Sequence, residues 1–147
     1  MKLHCKLALV LLAAAACLLQ ADLSAGDKKK EDKKDDNPKE VIVNGELTNA
    51  DLKDKARPTC YCKTYTYKMI EGRNYQIDMT SADFDSYLCL ENAAGEQVAA
   101  DDDSGGFPSA RIIYRAPKTG DYTIICTTFS GGSTGKYRLV VKDLDAK

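Results

Sequence analysis

Residues 75–80, YQIDMT, alternate apolar and polar side chains with a period of two. Tyr75, Ile77 and Met79 fall on one side and Gln76, Asp78 and Thr80 on the other. That is the pattern of a strand with one dry and one wet face, and no helix accommodates it. Working backwards, EGRN (71–74) is a turn and CYCKTYTYKM (60–69) alternates again. Tyr61, Tyr65, Tyr67 and Met69 share one face there, and Cys60, Cys62, Thr64 and Thr66 the other. Before it lie the polar connection TNADLKDKARP (48–58), with room for one helical turn behind Thr48 or Asn49, and a first strand, VIVNGEL (41–47). Working forwards, SYLCLEN (86–92) points Leu88 and Leu90 inward, and AAGE turns into QVAA (97–100). ARIIYR (110–115) offers Ile112 and Tyr114, and DYTIICTT (121–128) offers Tyr122, Ile124 and Cys126. KYRLVVK (136–142) offers Tyr137, Leu139 and Val141.

About eight short strands follow, with turn residues between them and no long helical pattern. Half-polar alternation predicts antiparallel sheets wet on one side, and the dry sides must be buried against each other. The expected fold is all-β: an antiparallel two-sheet β-sandwich. With eight tyrosines and no tryptophan, tyrosine supplies most of the aromatic bulk, and its stripes are read as sheet packing.

The N-terminal residues are of a different kind. Lys2 and Lys6 precede an apolar run from Leu7 to Leu19 and then small residues, which is the layout of a secretory signal peptide over 1–25. Cleavage after Ala21 or Ala25 fits equally. Cys17 raises a lipoprotein reading, which Ala14 disfavours. Residues 26–40 hold interleaved lysines and acids with nothing apolar to bury, so a disordered charged tether is expected. The folded module then spans 41–147. Removal of Lys2, Lys6 and Asp22 takes the formal charge from −1 to −2, a balance that draws in neither nucleic acid nor an anionic membrane. The expected location is secreted or periplasmic, with no membrane insertion after cleavage.

His4 is the only histidine and leaves with the leader. Without imidazole, Ser-His-Asp and Cys-His chemistry is excluded, as is zinc held by histidine. Cys60, Cys62, Cys89 and Cys126 remain, and an even number in an exported domain suggests two disulfides. Both 60–89 with 62–126 and 60–126 with 62–89 are open, and free thiols are the plain alternative.

DDDSGG (101–106) has three readings. As a turn, its aspartates cap backbone N–H groups and its glycines supply positive φ. As a metal loop, Asp101, Asp102 and Asp103, joined by Asp83 and Asp85, supply oxygen ligands suited to calcium. As a glycosidase acid pair it lacks a buried, rigid setting.

Several pieces together carry a resemblance: Gly72 before YQIDM, DFDSYLCLE followed by Gly95, DDDSGG, TGDYTI (119–124) and TGKYRLVV (134–141). In this order they resemble the bacterial pre-peptidase C-terminal domain over about 41–142. The resemblance implies a jelly-roll-like sandwich, attached to secreted proteases and other exported enzymes and often removed on maturation. The roles it implies are non-catalytic: binding, targeting or help in secretion. It also implies similarity in shape to calcium-dependent collagen-binding modules. A leader and tether stand here where a protease would precede the domain, and TCYCKTYTYKM is richer in Cys and Tyr than the family pattern. The expected function is therefore a binding module for an extracellular protein or polysaccharide, with calcium as candidate cofactor. The alternative is a secretion or assembly partner of a separately encoded exported enzyme.

Overall fold

The computed structural model describes residues 38–147, and every regular element among them is a strand. The leader and the tether up to residue 37 lie outside the described residues. The strands are β1 (Glu40–Leu47), β2 (Lys63–Met69), β3 (Asn74–Thr80), β4 (Ser86–Glu91), β5 (Gln97–Asp101), β6 (Ala110–Arg115), β7 (Gly120–Thr128) and β8 (Gly135–Asp143). They form two four-stranded antiparallel sheets, ordered β1-β8-β3-β6 and β2-β7-β4-β5. This is the strand order of a jelly roll, in which successive strands cross between the two sheets, the β4–β5 hairpin excepted.

Registers follow the pleat. Ile77 lies between Ile112 and Val141, Leu88 and Leu90 lie opposite Cys126 and Ile124, and Tyr67 opposite Tyr122. All of these are buried between the sheets, so the alternation in β2, β3 and β6 is that between core and outer face, whereas Cys89 of β4, Ile125 and Thr127 of β7 and Val140 of β8 are buried as well. Tyr67 of one sheet meets Tyr75 of the other edge-on at 5.8 Å, and Tyr114 meets Tyr122 at 5.7 Å. The tyrosine stripes are core, in the offset geometry that aromatic quadrupoles favour. No helix among the described residues is long and apolar enough to cross a membrane.

Two expectations change. The second strand starts at Lys63, because Cys60 and Cys62 belong to the connection before it. There Cys60 N donates to Arg57 O, Asp54 N to Cys60 O and Cys62 N to Leu52 O. The opening of that connection is a capped turn rather than a helical one, with Asp51 Oδ2 accepting from Thr48 N at 2.7 Å.

The two expected disulfides are not formed, and all four thiols are free. Each of the open pairings joined Cys126 to Cys60 or Cys62. Cys126 is fully buried on the inner face, while its register partner is Lys63, so alternation carries Cys62 to the opposite side of the sheet. Cys89, one step from inward Leu88, also faces outward.

The connections 48–62, 81–85, 102–109 and 129–134 all emerge at one end of the sandwich. The short turns 70–73, 92–96 and 116–119 close the other.

Candidate functional site

The four long connections are tied into one surface. Ser86 N donates to Pro108 O at 3.0 Å, Phe129 N to Asp85 O at 2.9 Å and Gly132 N to Thr59 O at 2.8 Å. Ser81 Oγ donates to Lys136 O at 2.7 Å, and Asp83 Oδ2 accepts from Lys136 N at 2.7 Å. Each loop is thus held by its neighbour as well as by its own strands.

Within 101–109, Asp101 Oδ2 accepts from Ser104 N at 3.0 Å and from Arg111 N at 2.8 Å. Gly106, at φ 92°, closes the tip by donating to Asp103 O, and Gly105 N and Ser109 N make further internal bonds. Only glycine adopts that φ readily. Asp101 therefore acts as the turn reading requires. Asp83 is likewise engaged, leaving Asp85, Asp102 and Asp103. Asp85 Oδ1 is enclosed with no hydrogen-bond partner. Burial first, and then the charges of Asp103 and Asp102, push the Asp85 carboxyl above the ordinary carboxylate range. Among the described residues no three His, Cys, Asp or Glu side chains are drawn together as an ion site.

The same end carries apolar tips. Leu52, Phe107 and Phe129 are 82%, 77% and 49% exposed, on three different connections. Arg57 lies over the Tyr87 ring at 3.9 Å and donates to Phe129 O. Lys53 Nζ lies 3.2 Å from the centroid of the Tyr61 ring. The Arg57 contact holds the 48–62 connection against the outer face of β2-β7-β4-β5, and the Lys53 contact braces the connection internally. Beneath it Asp54 is buried, with Oδ1 accepting from Ala56 N and Oδ2 unpartnered.

Beside the loops, where the edges of β1 and β2 face each other, an open groove of about 1060 Å³ runs past Tyr65, Tyr137, Lys63 and Arg138. The two tyrosine hydroxyls share a 2.7 Å hydrogen bond. Tyr137 reaches Tyr65 because Gly45 has no side chain: a Cβ there would lie 2.4 Å from the Tyr137 Cζ. Burial, followed by the Tyr65 hydrogen bond, raises the Tyr137 pKa far above its ordinary value, so its hydroxyl stays protonated. A smaller cleft of about 380 Å³ at the opposite end is walled by Tyr114, Tyr122 and Val98.

Sequence reasoning did not find the groove or the Arg57 stack. The signal for the groove was Gly45 inside a strand pattern, which marks close approach by another group.

No family model matches the chain, and no curated protein matches it in sequence. Solved structures do match in shape. The pre-peptidase C-terminal domain of a collagenase from Bacillus anthracis superposes with a TM-score of 0.54 at 19% identity, covering 69% of this chain and 88% of that one. A periplasmic inhibitor of g-type lysozyme from Aeromonas hydrophila superposes with a TM-score of 0.53 at 12% identity, covering 70% and 84%. At these identities the likeness is one of architecture: the chain has the eight-stranded sandwich fold of a pre-peptidase C-terminal domain.

Proposed function

We propose that the chain is a non-catalytic, exported binding module that grips an extracellular protein with its loop end. One observation carries this reading. Leu52, Phe107 and Phe129 stand exposed on three separate connections of the same end, and those connections are hydrogen-bonded to one another. Exposed apolar groups gathered in one place mark contact surfaces. Aromatic residues and arginine, here Phe107, Phe129 and Arg57, are the types that dominate binding energy at protein interfaces. The internal bonds of 101–109 hold Phe107 in place before contact, which lowers the ordering cost of binding. One structural neighbour is a domain of a collagenase and the other an inhibitor of g-type lysozyme. A separately encoded exported enzyme is therefore a partner of the same class as a matrix protein.

The test presents immobilised collagen, a g-type lysozyme and the proteins of the culture medium to the purified domain. Retention is expected on one of these, and Phe107→Ser with Phe129→Ser should weaken it at least tenfold, about 1.4 kcal/mol. Equal retention by the double variant, with far-ultraviolet spectra showing both proteins folded, rules out the loop end.

Asp85 favours a second reading, a calcium clamp. The donors fit a hard cation in kind, and a cation would relieve the crowding of Asp85 with Asp102 and Asp103. As placed, they do not yet form a shared site. Calcium is expected to raise the melting temperature, and Asp85→Asn with Asp103→Asn to abolish the rise. A melting curve indifferent to calcium and chelator would retire the clamp.

A further inference from the structure

We propose that the groove between β1 and β2 binds a short run of an uncharged, hydroxyl-rich polysaccharide, independently of the loop-end contact. Its charges interleave. Lys63, Lys136 and Arg138 supply cations, while Glu46, Asp83 and the Asn44 amide supply acceptors along the same walls. A polyanion would meet Glu46 and Asp83, and a polycation would meet the three basic side chains. A sugar hydroxyl donates and accepts at once, so a run of them uses both sets without repulsion.

Availability supports this. Among the described residues Lys136, Arg138 and Glu46 form no ion pair, and Lys63 stands 3.5 Å from Asp51. Lys136, Arg138 and Glu46 are therefore available to exchange water for hydroxyls, while Lys63 can reach a ligand only beside its Asp51 partner. The aromatic component is built in. Tyr65 is half-buried at the opening, its hydroxyl bonded to Tyr137, so its orientation is settled before binding. A sugar's C–H face can pack on such a ring while its hydroxyls reach the polar walls.

Size points to a polymer segment rather than a metabolite. The groove is open to solvent and, at about 1060 Å³, as large as the roomiest small-molecule pockets, so a chain can lie along it without being enclosed. Gly45 keeps this arrangement, since any larger residue would displace the Tyr137 ring. Nothing in the groove overlaps Leu52, Phe107 or Phe129, so the two surfaces can fail separately.

The experiment titrates cellotetraose, maltotetraose and the tetramer of N-acetylglucosamine into isotopically labelled protein and follows backbone amide shifts. Saturable shifts are expected at Lys63, Tyr65, Tyr137 and Arg138 with at least one of the three. Arg138→Ala, at an exposed site, should raise Kd at least fivefold, and Tyr65→Ala more. Tyr65→Phe, which keeps the ring, should fall between wild type and Tyr65→Ala. Phe107→Ser with Phe129→Ser should leave the titration unchanged. The proposal is overturned if none of the tetrasaccharides moves these amides at millimolar concentration, if the shifts map elsewhere, or if a sulfated dextran or polylysine binds the groove more tightly than all three.

Discussion

Gly45 and Tyr137 together show how one missing side chain shapes a surface. In Gly45→Ala the new methyl meets the Tyr137 ring, which must swing out of its buried place or push β1 away from β8. Overpacking of this kind costs about 1–3 kcal/mol, to be read as a lower urea midpoint at unchanged slope. Tyr137→Phe removes only the hydroxyl contact and should cost less. Asp85 gives a prediction with a sign. Its carboxyl is raised in the fold, so the folded state holds the proton better than the unfolded one. Stability is therefore gained as pH falls through the raised value, and the penalty is gone below the ordinary carboxylate pKa of about 4. Asp85→Asn should melt higher than wild type at neutral pH and no higher in mild acid. Saturating calcium should cancel or reverse the neutral-pH gain if the clamp reading is correct. Asp51 has the opposite sign. Burial alone would raise its carboxyl, but the Thr48 N–H and hydroxyl and the Lys63 ammonium hold it below the usual range, so its contribution is lost in acid. A melting comparison made against wild type at each pH subtracts that background.

At the scale of elements, strands such as β2, β3 and β6 were legible because one face of each is wetter than the other, while β4 and β7, buried on both sides over most of their length, were marked by their flanking turns. The alternation of Tyr75, Ile77 and Met79 reports directly on burial, and β6 appears with the residues expected. The start of β2 was not legible, since CYC alternates as well as KTYTYKM does. What removes Cys60 and Cys62 from the strand is backbone bonding to Arg57, Asp54 and Leu52, a tertiary matter that no local pattern encodes. The cysteine count leaves pairing open for a related reason: pairing depends on which side of a sheet a thiol faces, and spacing along the chain does not fix that. Burial pushes the Cys89 thiol up to about 11, and Asp54 adds to the rise. Cys126 is raised further by burial. In the folded protein at pH 8 an alkylating agent should therefore reach half-buried Cys62 first and leave Cys89 and Cys126 unmodified, as counted by intact mass. After unfolding without reductant all four thiols should be labelled. Fewer would reveal a crosslink.

For the whole molecule, the sandwich is closed by a few charged ties at its quiet end. Arg73 Nη1 meets Asp143 Oδ2 at 2.8 Å, and the Asp143 side chain is fully buried. Arg73→Leu would leave that carboxylate enclosed and should cost about 3 kcal/mol, visible as a lower melting temperature, whereas Lys142→Ala breaks only the exposed pair with Glu40 and should change little. The candidate site was only half legible in the sequence. The aspartates and the flanking glycines stood out, but the groove is assembled from β1, β2, β8 and the 81–85 connection, segments brought together by topology alone.

That topology also orders events in time. β8 lies between β1 and β3 in its sheet, so β1 has no hydrogen-bonding neighbour until Gly135–Asp143 has been synthesised. A ribosome-bound nascent chain ending before residue 135 should remain protease-sensitive, and the sheet should be completed only once β8 has left the exit tunnel. Until that strand emerges its sheet lacks one of its two central members, so β1, made almost a hundred residues earlier, waits for it unpaired.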